Sequence, residues 1–240
     1  MTENNSTSND PGSFLTINSV IISFIAMTLG VTAAVLVLPH WLPGLAASLA
    51  GDSPKAFWYI SRASAFVAMG FLWASMMLGV GISNKMARLW PGAPAAFALH
   101  EYLSLLGLGF AAFHGLILLG DHYINFNLLQ ILIPFTTLNY HPFWVGLGQI
   151  CFYIWILLVL SFYVRNHIGQ KLWRLLHFTG FVAYAAAIVH GISSGTDSSL
   201  GWVQGFYWIT GGSFLFLLTY RIVNSLVGKV EKILSSPAHQ

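Results

Sequence analysis

Six apolar stretches, each longer than the ~20 residues a helix needs to cross a bilayer, dominate this 240-residue chain. They are Phe14–Pro39, Phe57–Ile82, Phe97–Gly120, Phe143–Val164, Leu172–Ser193 and Val203–Val227. Lipid offers a backbone no hydrogen bonds, so stretches of this kind predict α-helices that satisfy their own peptide groups. Composition agrees: 56% of residues are hydrophobic and 7% charged, against roughly 25% charged in soluble domains. Pro39 and Pro43 close the first stretch, and PGAP (91–94) starts the third. The expected fold class is an all-α membrane protein, a six-helix transmembrane bundle forming one domain over 14–228. Residues 1–13 are polar, lack the basic n-region of a signal peptide and read as a disordered tail, and 229–240 as a second tail.

Basic residues orient the bundle. Lys85, Arg88, Arg165, Lys171, Arg174, Arg221, Lys229 and Lys232 fall on one side, and only Lys55 and Arg62 on the other. Both termini are therefore expected in the cytoplasm of a bacterial inner (plasma) membrane protein. The net charge of +3 reflects this topology and makes no case for nucleic-acid binding. Anionic lipid or an acidic partner remains open to the cytoplasmic patch. Between spans three and four, residues 121–142 include INFNLLQILIPF, too apolar for a solvated loop and too short to span. It reads as an interfacial or re-entrant cap, or as a loop resting on lipid.

Inside the apolar stretches lie four histidines. His100 and His114 are 14 residues apart on span three, and His177 and His190 are 13 apart on span five. At about 1.5 Å per residue each pair covers roughly 20 Å of a hydrocarbon core about 30 Å thick. Both spans are odd-numbered and run in the same direction, so His100 matches His177 near the inner face and His114 matches His190 near the outer. One histidine in an apolar helix is most simply a hydrogen-bonded core residue, but four at matched depths favour ligation. Two imidazoles at each level suit the two axial positions of a heme iron and electron transfer. The expectation is two stacked b-type hemes, His100 and His177 for the inner and His114 and His190 for the outer. Copper or zinc is a weaker reading, since no carboxylate or thiolate accompanies these positions. The angular fit is uneven: 14 residues return within roughly 40° of one face, whereas 13 miss by about 140°. Span five must tilt, carry a π-bulge or offer its rings from different sides.

Other residues follow from this frame. Gly107, midway between His100 and His114, lets a flat ring approach the backbone or simply packs helices; Gly115 and Gly191 invite the same two readings. Tyr184 or Phe110 fills the space between hemes or packs the core. Arg62 either snorkels to head groups or pairs with an outer-heme propionate. Glu101 reads as interfacial and solvated, and Cys151, the single cysteine, as a small buried hydrophobe. His40, His122, His141, His167 and His239 read as surface residues, of which His122 and His141 are open to an outer metal substrate.

The segments HEYLSLLGLGFAAFHG and GLGQICFYIWILLVLSFYVRNHIGQKLWRLLHFTGFVAYAAAIVHGISSGTD resemble the ferric reductase-like transmembrane domain. WYISRASAFVAMGFLWASMMLGVGIS is similar to that family's arginine-bearing second helix. Ferric reductases, NADPH oxidases and the heme subunit of a periplasmic methionine-sulfoxide reductase system belong to it. The resemblance covers spans two to six. It implies two b hemes carrying electrons outward, with Arg62 beside the outer heme and its acceptor site. No glycine-rich nucleotide motif occurs, so no flavin or nicotinamide site is expected in this chain. A separate donor follows: a flavoprotein reductase, a quinol or another carrier. The superoxide-producing members carry a further histidine one turn after the outer ligand on span three. Leu118 stands there, against dedicated superoxide production. The expected activity is oxidoreductase-like, from a cytoplasmic or membrane donor to a ferric chelate or a periplasmic redox partner. The alternative is a heme-bearing anchor or sensor subunit without net transfer.

Overall fold

The computed structural model describes residues 16–41, 56–84, 92–138 and 140–235, which are helical and contain no strand. The helices are α1 (Ile17–Trp41), α2 (Ala56–Ser83), α3 (Ala93–Leu116), α4 (Leu128–Leu132), α5 (Pro142–Tyr163), α6 (Arg165–Ile168), α7 (Gln170–Ser194) and α8 (Gly201–Ser235). Five of them, α2, α3, α5, α7 and α8, are long and apolar enough to cross a membrane. Leu29, Leu36, Leu175, Val182, Trp208 and Phe216 are all exposed on the outside of the helices. A surface this apolar is that of a multi-pass protein facing lipid. The described apolar part of α1, Ile17–Ala33, is shorter, and α1 packs against α3.

Helix ends follow local chemistry. Pro94 occupies the first turn of α3, where its missing N–H costs nothing, so the helix starts at Ala93 rather than Phe97. Its last turn tightens into a 3-10 segment, Ile117–Gly120, ending where the apolar stretch ends. Gly169, at φ +82°, makes the corner between α6 and α7 that a side chain would resist. α8 runs to Ser235, so the residues from 229 that read as a tail continue the helix. The calls on residues 1–13, Pro43, Lys55, Lys85, Arg88, Pro91 and His239 lie outside the described residues, as do the side chains of Lys229 and Lys232.

α2 and α3 form one tightly packed antiparallel pair and α5 and α7 another. A small interior of Met69, Tyr184 and Phe214 joins α2, α7 and α8. The segment between α3 and α5 is anchored along the bundle. Asn127 and Gln130 build a capping box on α4. The Gln149 side-chain amide donates to the carbonyls of Gln130 and Ile131 at 2.7 Å each, and the Tyr153 hydroxyl donates to Leu132. Tyr153 lies eleven residues into α5, roughly 16 Å along it. α4 therefore runs down the flank of the bundle, where side chains take over hydrogen bonds that lipid cannot supply.

Candidate functional site

The site begins with a repeated contact between α2 and α3. The Nδ1 of His100 lies 2.8 Å from the Ser75 carbonyl, and that of His114 lies 2.8 Å from the Ser61 carbonyl. Each serine hydroxyl donates back to the histidine's own carbonyl, at 3.3 Å for Ser75 and 2.9 Å for Ser61. Ser61 and Ser75 are 14 residues apart, as are His100 and His114, so two antiparallel helices carry the same unit twice. His190 uses α5 instead: its Nδ1 lies 2.8 Å from the Trp144 carbonyl. A carbonyl only accepts, so Nδ1 carries the proton in these three rings. The neutral imidazole then keeps its lone pair on Nε2, the tautomer that binds a metal. His177 is held differently, stacked on Trp173 one turn earlier at 5.1 Å between centroids.

Across the gap between α3 and α7 the imidazoles meet in pairs. His100 faces His177 with ring centroids 6.1 Å apart, and His114 faces His190 at 6.4 Å. The ring planes are crossed at 74° and 72°. First partners first and second partners second, so α3 and α7 run parallel with the four rings at two levels. α7 stays α-helical through 170–194, so no π-bulge absorbs the 13-residue spacing and its two rings leave from different sides.

An imidazole nitrogen binds a transition metal at about 2 Å and lies roughly 1 Å from its ring centre, so two imidazoles trans across one ion sit roughly 6 Å apart. Both pairs fit that span. No group of three or more His, Cys, Asp or Glu side chains is placed to share a metal ion among the described residues. Two imidazoles per level leave a bare copper or zinc ion short of ligands, whereas a heme brings four nitrogens of its own. Around His100 and His177 opens a cavity of about 460 Å³, walled largely by apolar side chains such as Leu72, Met76, Val159 and Phe181. That is the size and character of a cofactor site.

Close-packed glycines seat two of the rings. A Cβ on Gly148 would lie 2.5 Å from Nδ1 of His190, and one on Gly79 would lie 3.1 Å from Cε1 of His100. Gly107 plays another part: a Cβ there would lie 2.9 Å from the Trp155 ring and 3.1 Å from Phe71. The indole occupies the approach to the backbone that the spacing offered to a flat ring. Gly115 faces Ile131 and Gly191 faces Tyr207, both as helix-packing contacts. Tyr184, fully buried, donates to the Thr210 carbonyl at 3.0 Å, packs on Phe214 and borders the cavity. Phe110 lines a separate apolar groove between α1 and α3. Cys151 is buried in the cavity wall.

Two charged residues have partners that the sequence does not reveal. Glu101 is half-buried at the cavity and accepts a 2.9 Å hydrogen bond from the Tyr163 hydroxyl, because α5 ends beside it, so it is not a freely solvated side chain. Arg62 is ion-paired with Asp197 in the α7–α8 connection, and its guanidinium lies 5.7 Å from the Tyr59 ring. Nearby, the Tyr140 hydroxyl donates to the Ser194 carbonyl at 2.5 Å, and Trp58 packs against both Tyr123 and Tyr140. Asp197 had no visible partner in sequence, since loop pairings carry no spacing signal. Ser61 and Ser75 did have one, the same 14-residue period as the histidines they hold. His40, His122, His141 and His167 are exposed. No protein-family profile, curated protein or solved structure matches this chain.

Proposed function

We propose that this chain is a transmembrane di-heme cytochrome b of the ferric reductase-like kind, a six-helix bundle in a bacterial inner membrane with both termini in the cytoplasm. It carries electrons from a cytoplasmic or membrane donor to an outer acceptor, a ferric chelate or a periplasmic redox partner. The observation that carries this reading is the pair of facing imidazole sets, 6.1 and 6.4 Å between centroids, at two levels of one bundle. His100 with His177, and His114 with His190, would each hold a heme, which would supply a one-electron iron couple.

The chain's own residues do the rest. The Ser75, Ser61 and Trp144 carbonyls hold three rings with Nε2 free to ligate, so little reorganisation accompanies a change of charge. Trp155 packs on Gly107, midway along α3 between the two levels, and lines the cavity. The levels are roughly 20 Å apart by helical rise, most of a membrane's apolar thickness. An inside-negative potential favours outward passage of one electron by about 2.3 kcal/mol per 100 mV across the full field. Beside the outer level, Arg62 has five N–H donors and can bond Asp197 and a propionate together.

Single replacements in proteoliposomes test the reading. His114→Leu and His190→Leu should each lose the outer heme, keep the inner one reducible and stop transfer to external ferric citrate. His100→Leu and His177→Leu should keep the outer heme but disconnect it from the donor. If His100→Leu matches His190→Leu instead of His177→Leu, the proposed wiring is wrong.

A further inference from the structure

The segment between α3 and α5 ties together the two helix pairs across which the outer imidazoles face each other. His114 belongs to the α2–α3 pair and His190 to the α5–α7 pair. On the α3 side, Ile131 of α4 lies against Gly115, the residue after His114, its Cγ2 methyl 3.7 Å from where a Cβ would stand. On the α5 side, the Gln149 amide donates to the Gln130 and Ile131 carbonyls, next in sequence to Gly148, which seats His190. The Tyr153 hydroxyl donates to the Leu132 carbonyl, and the Phe135 ring fills the place that a side chain on Gly146 would take. Residues 125–135 thus form a strap across the seam between α3 and α5 at the outer level, whereas the cavity described above surrounds the inner pair.

Two features suit this strap to opening. Asn125 and Phe135, at its ends, both have positive φ, +63° and +65°. Asparagine adopts that conformation readily, but a bulky residue does so only where its surroundings hold it. The ring seated over Gly146 supplies the hold, so the strain is released when the ring leaves. The outward face of α4, Leu128, Leu129 and Leu132, is exposed and apolar, so lipid can surround a lifted strap. Lifting leaves the Gln130, Ile131 and Leu132 carbonyls without donors that lipid does not replace, which favours the shut state. We propose that the strap is a lateral door for the outer heme. It opens about Asn125 and Phe135 to admit the group through the seam between α3 and α5, and shuts to retain it. The inference rests on the ligation reading above and extends it to how the outer group is loaded and kept.

The test follows heme leaving the full chain in nanodiscs for excess apomyoglobin, which captures it, with the remaining hemes counted by pyridine hemochrome. Gly146→Ala evicts the Phe135 ring, and Gln149→Leu with Tyr153→Phe cuts the tethers. Each should release one heme per chain about tenfold faster than the wild type, since one hydrogen bond is worth roughly fivefold. The other heme should leave at the wild-type rate, and the visible spectrum before transfer should be unchanged. The acceleration should persist in a His100→Leu background and vanish in a His114→Leu background, which marks the outer heme as the one that responds. Ile131→Cys with Gly115→Cys, oxidised after loading, should hold that heme longer than the wild type until the disulfide is reduced. This locked form keeps the test open should a loosened variant fold poorly. Leu129→Ala, on the exposed face, should match the wild type. Wild-type release of both hemes from the loosened variants, or equal acceleration of both, overturns the proposal. A wild type with no Soret band removes the ligation reading and this one together, a result distinct from two hemes whose release ignores the strap.

Discussion

Gly148 offers the sharpest perturbation of one level alone. An alanine there puts a methyl carbon 2.5 Å from Nδ1, 2.6 Å from Cε1 and 2.8 Å from Cγ of His190. Carbon atoms in contact prefer about 3.5–4.0 Å, so the ring must retreat by about 1 Å. That retreat breaks its 2.8 Å bond to the Trp144 carbonyl, a loss of about 1 kcal/mol, and adds overpacking of about 1–3 kcal/mol. The total of about 2–4 kcal/mol corresponds to roughly 30- to 700-fold against the seated ring. Gly148→Ala should therefore lose the His114–His190 heme and retain the other, read as one heme per chain by pyridine hemochrome. Gly79→Ala is the graded partner: its Cβ meets His100 at 3.1 Å, which asks the ring to give by a few tenths of an ångström. Both hemes should stay, with one potential displaced. Gly70→Ala, with nothing within 4 Å, should be silent at both levels and controls for helix propensity. Two hemes with unmoved potentials in Gly148→Ala would refute the seating of His190.

Further outcomes follow from the same contacts. Ser75→Ala keeps the main-chain carbonyl that orients His100 but loses hydroxyl bonds to the His100 carbonyl and to Ser104, so heme content should hold while stability falls by about 1–3 kcal/mol, read as a lower melting temperature. Gln149→Leu with Tyr153→Phe removes the side chains that receive α4, and amide exchange across 128–133 should accelerate while the rings at both levels keep their spectra. Tyr140 has its pKa raised, chiefly by burial and against the opposing effect of Arg62. A group whose folded pKa exceeds its unfolded value stabilises fully below the unfolded value, about 10, and loses that contribution as pH rises through the folded one. A thermal-shift series should show the α7–α8 connection loosening only above about pH 10, and Tyr140→Phe should erase that alkaline step.

Five of the six expected spans and the pairing of the four histidines were legible because both rest on periodicity. Long apolar stretches must be helices in lipid, and two odd-numbered helices must run parallel, so first met first and second met second. The repeat of Ser61 and Ser75 was equally readable, at the same spacing on the neighbouring helix, but its meaning depends on the register between α2 and α3. Gly148 and Gly79 depend on which glycine falls under a ring, a matter of helix rotation that 13 or 14 residues of spacing do not set. Trp155 over Gly107 belongs to the same class: spacing located the small residue but not the side chain that fills it. Asp197 was invisible because it lies in a connection. The extension of α8 to Ser235 was missed because hydropathy ends a span where lipid ends, whereas helical hydrogen bonding continues.

The central claim is that two levels each hold an iron between crossed imidazoles, and low-temperature EPR of the oxidised, purified protein tests it most directly. Planes crossed at 74° and 72° leave two iron d orbitals nearly degenerate, which produces a strongly anisotropic low-spin signal with a large maximal g value. The account predicts two such signals in protein carrying two b hemes per chain. A high-spin signal, an ordinary rhombic low-spin signal from parallel rings, or protein without heme would contradict it.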